Sequence, residues 1–146
     1  MTDPSRRTLV DAVMHCRVVA IDPGASLSDA ARALRSANVG ALAVMDDLGG
    51  ADDATIAGIL SERDVVDAVA SGLDLAATPV RDAMSCDPRY LTVNDHVVTA
   101  VEVMLDAGVR HLPVLEEGEL VGIISMRDLL PLALGEARAA SASPAA

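Results

Sequence analysis

The tightest constraint on this chain is a phrase it writes twice. Leu120-Val121-Gly122-Ile123-Ile124-Ser125-Met126-Arg127-Asp128-Leu129-Leu130 echoes Ile56-Ala57-Gly58-Ile59-Leu60-Ser61-Glu62-Arg63-Asp64-Val65-Val66. In each copy an apolar, β-branched run reads as a buried strand and the serine opens a helix. Gly58 matches Gly122, Ser61 matches Ser125, Arg63 matches Arg127 and Asp64 matches Asp128. A strand–Ser-x-Arg-Asp–helix segment at two places implies two copies of one unit. A ligand is expected where the two turns come together.

The flanks repeat as well. Thr8 to Met14 reads as a short helix capped by Thr8, and Val80 to Met84 echoes it after Pro79. Arg17 to Ile21 and Tyr90 to Val93 read as first strands. Ser26 caps an amphipathic helix bearing Leu27, Ala30, Ala31, Leu34 and Ala37 on one face, and Asn38 ends it. Val97, Ala100, Val101, Met104 and Leu105 form the matching face before Gly108, with Asn94 and Asp95 as caps. Ala41 to Met45 and His111 to Leu115 are second strands. A long acidic loop, Asp46 to Ala54, follows in the first copy, and a tight Glu116-Glu117-Gly118 turn in the second. The first unit spans residues 8–72, the second 78–135, and 136–146 is a flexible tail. Each unit is α+β, a small three-stranded mixed sheet packed with helices. Its open face calls for a second copy, and the pair for a second chain.

Composition narrows the function. Of 146 residues 51% are hydrophobic, enough for a core built from small and branched aliphatics, since Tyr90 is the one aromatic residue. The net charge of −11, with arginine as the sole basic type, opposes nucleic acid and anionic membrane surfaces. The scarcity of rings also removes the platforms on which single strands stack. Two cysteines make no disulfide framework. The sequence shows no signal-like segment and no membrane-length apolar run, so a soluble cytoplasmic protein is expected.

The repeated pattern, with its leading Val-x-x-x-Met, its Leu-Pro-Val strand and its Gly-Ile-Ile-Ser-x-x-Asp turn, resembles the cystathionine β-synthase (CBS) domain, and the second copy is the closer match, since the first has Ala43 in place of Pro113. The resemblance covers roughly residues 8–135, and the whole is similar to a stand-alone tandem CBS pair. It implies a sensor of adenosine-containing ligands: AMP, ADP, ATP or S-adenosylmethionine, held in the cleft between the copies as a regulatory ligand rather than a cofactor. It implies Asp64 and Asp128 on ribose hydroxyls with Ser61 and Ser125 beside them. Val19, Ile21, Tyr90 and Thr92 would face the base. It also implies a homodimer and a partner protein that reads the ligand state.

The residues carry their own chemistry beside that likeness. A carboxylate is an acceptor suited to a vicinal diol, and a helix N-terminus offers amides to phosphate. The same Ser-x-x-Asp spacing also makes a capping box, so a purely local role competes with ligand binding. Arg63 and Arg127 are phosphate candidates or solvated surface arginines. Arg110 and His111, at the start of the second copy's strand, are placed for phosphate, whereas the first copy has Gly40 and Ala41 there. That departure predicts two unequal sites. Tyr90 is a stacking candidate or a rim residue. Cys16 and Cys86 occupy matching places, as a redox pair or as inert packing. No nucleophile–base pattern, phosphate-binding glycine loop or metal motif is present, so the chain is read as no enzyme. Two functions remain: a ligand-sensing regulatory module, or a ligand-free structural or interaction dimer of a stress-response type that docks through the acidic loop.

Overall fold

A computed structural model describes residues 10, 18–46 and 55–132. In chain order these are β1 (Ala20–Ile21), α1 (Leu27–Ala37), β2 (Ala41–Asp46), β3 (Thr55–Ser61), α2 (Glu62–Ala70), a 3-10 turn (Val80–Asp82), β4 (Ser85–Cys86), β5 (Leu91–Thr92), α3 (Val97–Ala107), β6 (His111–Glu116) and β7 (Glu119–Ser125). Residues 126–132 are helical and are called α4. The expected first helix, the acidic loop, Cys16 and the tail lie outside the described residues, apart from Val10 and Asp46.

The fold is α+β with two small mixed sheets, ordered β1-β2-β3-β4 and β5-β6-β7. The first strand of each unit runs parallel to its neighbour, and the next pair is antiparallel. The ladders match residue for residue. Ala41 faces Ser61 as His111 faces Ser125, and Val44 faces Gly58 as Val114 faces Gly122. Both ladders slip at the same place, between Val44 and Met45 and between Val114 and Leu115. A bulge kept in both copies bends each hairpin alike.

Local chemistry explains most of the boundaries. The Ser26 hydroxyl accepts the Asp29 amide at the start of α1, and Asn38 ends it in the left-handed region at φ 54°. Gly108 closes α3 at φ 68°. The turn between β6 and β7 has Glu117 at φ 51° and Gly118 at φ 82°, the paired positive angles of a tight hairpin. Asp95 does not cap α3. His96 holds the cap position without a side-chain bond, and the Asp95 carboxylate accepts the Thr92 amide instead, closing the turn after β5. The first strands are shorter than expected: the paired residues are Ala20–Ile21 and Leu91–Thr92, with the Val19 carbonyl also accepting the Ala43 amide at 3.0 Å.

Period-two alternation divides each sheet into two faces. Leu42, Val44 and Leu60 pack with Leu27, Ala30 and Leu34 beneath α1 and α2. Leu112, Val114 and Ile124 do the same with Val97, Ala100 and Met104. The opposite faces meet: Ala41, Ala43, Met45 and Ile59 of the first sheet close on Ile123 of the second, with Ile56 and Leu120 at the margin. The methyl side chains of Ala41 and Ala43 allow a close approach along this seam.

The leading segments cross between units. Val80 packs in the first unit's core and its N–H bonds to the Ala25 carbonyl. Val10 packs in the second unit's core and its N–H bonds to the Asp95 carbonyl. Beyond Val80, β4 adds to the edge of the first sheet, where Gly58 faces Cys86. A side chain at Gly58 would stand 2.4 Å from the Ser85 carbonyl oxygen, so glycine is what permits that pairing.

Candidate functional site

The repeated turn has the same anatomy in both units. Asp64 Oδ2 accepts from the Ser61 amide at 2.8 Å and from its hydroxyl at 3.0 Å, while the Asp64 amide donates to Ser61 Oγ at 3.3 Å. The corresponding distances at Ser125 and Asp128 are 3.2, 2.7 and 3.3 Å. These are capping boxes. One more bond repeats: the Glu62 amide donates to the Gly40 carbonyl at 3.0 Å, and the Met126 amide to the Arg110 carbonyl at 2.8 Å. The amides of Ser61, Glu62 and Asp64 are therefore spent inside the protein, as are those of Ser125, Met126 and Asp128. A phosphate at these turns would find three amides of each helix start already bonded within the protein.

The two turns meet at His111. It starts β6 on the seam-facing side, opposite Ser125, and its ring crosses to the first unit. His111 Nε2 lies 2.7 Å from the point where a side chain on Gly40 would begin, and Glu62 Oε1 lies 3.6 Å from the same point. Gly40 thus provides the space that the imidazole fills. Burial holds His111 below the ordinary histidine pKa. The Glu62 and Asp128 carboxylates pull it back up, and Arg110 adds to the depression. Carboxylates from both turns therefore act on one ring.

Along the same face of β6, Pro113 and Leu115 follow His111 at two-residue steps of about 7 Å each. They line a cleft of about 540 Å³ with Ile56 from the first unit and Arg89, Tyr90 and Val103 from the second. The cleft wall is mostly apolar, and Tyr90 is 58% exposed on it. A flat apolar group has room here, with His111 and the Asp128 turn further along the strand.

The remaining expected residues are spread more widely. Ile21 is in the first unit's core and Val19 packs against that core, so neither lies on the cleft wall described here. Register explains this. Ile21 faces Val44 as Leu91 faces Val114, so the first-unit counterpart of Tyr90 is Ala20, opposite Ala43. The strand alternation beside buried Ile21 points to Ala20 as the residue on the seam-facing side. Thr92 is exposed on β5, and Arg63, Arg110 and Arg127 are exposed. Glu62 was missed. Its signal was the contrast with Met126 inside an otherwise matched motif. Cys86 is an exposed free thiol in β4. Among the described residues no group of His, Cys, Asp or Glu is placed to hold a metal ion, and no helix is long and apolar enough to cross a membrane.

Comparison with known proteins matches this architecture. The CBS domain family model matches residues 10–71 and again 80–135. An uncharacterized 17.7 kDa protein of Acidianus ambivalens is 35% identical over 123 residues, covering 84% of this chain and 71% of its own. A CBS domain-containing protein of Arabidopsis thaliana is 30% identical over 116 residues, and there the chain spans only 20% of the relative's length. Among solved structures, a CBS-domain containing protein from Agrobacterium tumefaciens superposes with a TM-score of 0.79 at 31% identity, covering 91% of this chain and 98% of that one. A CBS domain pair solved with 5′-methylthioadenosine and S-adenosyl-L-methionine shares the fold at 21% identity and a TM-score of 0.77, covering 88% of this chain and 98% of that one.

Proposed function

The chain belongs to the CBS-domain family, in tandem-pair form, and from that premise we propose that it is a regulatory module sensing an adenosine-containing ligand between its two units. The observation that carries this reading is the convergence at His111 of both Ser-x-x-Asp turns, beside an apolar cleft walled by Tyr90, Pro113 and Ile56. The base lies against that wall. Asp128 addresses the ribose hydroxyls, with Ser125 holding its carboxylate in place, and His111 stands at the sugar's far end. Asp64 and Ser61 form the corresponding place in the first unit, where Ala20 and Ala43 leave a barer wall. Arg63, Arg110 and Arg127 are the side chains available to an anionic group. The ligand is one of AMP, ADP, ATP and S-adenosylmethionine. Binding changes the relative arrangement of the two units, and a partner protein reads the change; such a shift requires only that the ligand prefer one arrangement. The chain acts in the cytoplasm and is not itself an enzyme.

The same reading includes a homodimer. Val66 and Val69 on α2, Leu105 on α3 and Leu130 on α4 are exposed apolar side chains on the helical faces, a surface that a second copy would cover.

A thermal-shift panel with adenosine, AMP, ADP, ATP and S-adenosylmethionine tests the ligand. A compound at a hundred times its Kd adds about 2.7 kcal/mol of stability. The expected result is a shift with at least one compound that Asp128→Ala abolishes. Calorimetric affinity unchanged in Asp128→Ala removes that residue from the site. A well-folded dimer that shifts with none of the compounds favours the scaffold reading.

A further inference from the structure

We propose that two copies of this chain dock like unit to like unit: the α3–α4 face packs on the α3–α4 face of a second copy, and the α1–α2 face on its own counterpart. This rests on the homodimer reading and names the arrangement within it.

The helical faces differ although the backbone repeats. α3 is apolar around most of its circumference. Val97, Ala100 and Met104 enter the core, while Val98 and Leu105 stand outside, Leu105 at 72% exposure. A helix that is apolar all round belongs in a buried place. The outer side of α1 instead carries Asp29, Arg32 and Arg35. Between α1 and α2 runs a groove of about 610 Å³, lined by Leu34, Arg35 and Asn38 from one side and Glu62, Val65 and Val66 from the other. The matching positions of the second unit are Met104, Leu105, Gly108, Met126, Leu129 and Leu130. One groove holds a cation and an anion, and its counterpart holds no charge.

That contrast decides between the two ways of closing a two-fold dimer. With like units together, Arg35 of one copy meets Glu62 of the other and the reverse, as a two-fold axis requires. The apolar groove is then covered by its own kind. With unlike units together, Arg35 and Glu62 are pressed against Leu105, Leu130 and Met126, which strips water from both charges. The other charges of these helices do not reverse the choice. Arg32 is paired with Asp29, and Asp106 with Arg89. Arg63 and Arg127 occupy matching places, as do Asp64 and Asp128, so they weigh alike on both arrangements. Asp67 follows Arg63 by four residues and so shares its side of α2. Glu102 remains, and its counterpart Arg32 is already engaged. Residues 135–146 make a poor cover for Leu105, since their apolar side chains are alanines and one proline.

The test measures self-association of the full chain and of its Leu105→Glu variant by analytical ultracentrifugation. Leu105→Glu sets an acid against an apolar face when like units meet, and beside Arg35 when unlike units meet. It is expected to weaken the dimer at least about tenfold. In addition, Arg35→Glu and Glu62→Arg chains are mixed and read by native mass spectrometry. One groove is then acidic and the other basic, so the mixed dimer is expected in about fivefold or greater excess over either parent dimer. The mixture supplies the answer if Leu105→Glu folds poorly by circular dichroism. A dimer that tolerates Leu105→Glu, or a mixture at random proportions, overturns the pairing and leaves the dimer reading standing. Loss of the dimer on removal of residues 135–146 assigns the contact to that stretch and overturns the pairing as well. If the intact chain is monomeric, the dimer reading itself fails, and the pairing falls with it.

Discussion

In the first unit Ala41 stands opposite Ser61, and in the second His111 stands opposite Ser125. The backbone around these pairs is alike: the same ladder register, the same bulge, the same capping box and the same amide-to-carbonyl bond at the helix start. What differs is the side chains that point at the seam. The first unit offers Ala20, Gly40, Ala41 and Ala43 with Glu62, and the second offers Tyr90, Arg110, His111 and Pro113 with Met126. Small residues on one side receive large ones from the other, as Gly40 receives the His111 ring. Duplication supplies the scaffold, and divergence at the seam gives the two units different side chains there.

The strongest way to break the comparison is to disturb the backbone of one unit alone. Gly58→Ala places a methyl 2.4 Å from the Ser85 carbonyl and 3.0 Å from Met84 Sδ. The carbonyl cannot swing aside without opening the β3–β4 pairing, so the variant is expected to lose about 1–3 kcal/mol in urea unfolding. A loss near zero would mean that β4 is readily displaced from the first sheet.

The capping boxes test how equal the shared scaffold is. Ser61→Ala and Ser125→Ala each remove the acceptor for the N3 amide and a donor to the aspartate. Each is expected to cost about 1 kcal/mol, with the two values close to each other. A much larger loss at Ser125 would show that its box also fastens the His111 junction. The distances alone give no reason for such a difference.

The sequence made a good deal of this legible. Ser61, Ser125, Ser26, Asn38 and Gly108 signal their positions through local chemistry, and the alternation Leu42, Val44 against Ala41, Ala43 signals the two sheet faces. The CBS resemblance drawn from those motifs agrees with the family match. The crossing of the leading segments was not legible. Val10 and Val80 look alike in sequence, and nothing local to either says that each packs in the other unit's core. The β4 edge strand was hidden for the same reason, since its partner Gly58 lies far back in the chain. The side to which Ile21 points was not legible either, because one residue of strand register swaps the face, and the structure puts Ile21 in the first unit's core. Glu62 carries no signal of its own in the sequence, because its nearness to His111 depends on a contact between units.

The gentlest probe of the asymmetry is pH, and its sign follows from His111. Burial holds the folded-state pKa of this imidazole below the unfolded value of 6.5. At pH well above 6.5 both states are neutral there and the group contributes no slope. As pH falls through 6.5 the unfolded chain takes up the proton first, so stability declines, and the decline levels off below the folded-state pKa. Because the ring is only half-buried, this effect is expected to be smaller than loss of either cap. His111→Gln should flatten this component of the profile, measured as melting temperature from pH 8 to 5. Glu62→Gln should steepen it, since that carboxylate raises the His111 pKa and its removal leaves burial and Arg110 less opposed. Ala41, the matching residue of the first unit, has nothing to titrate, so the whole step belongs to one side of the seam. An identical profile in the chain with and without His111 would place the acid sensitivity elsewhere and leave the imidazole a packing group against Gly40.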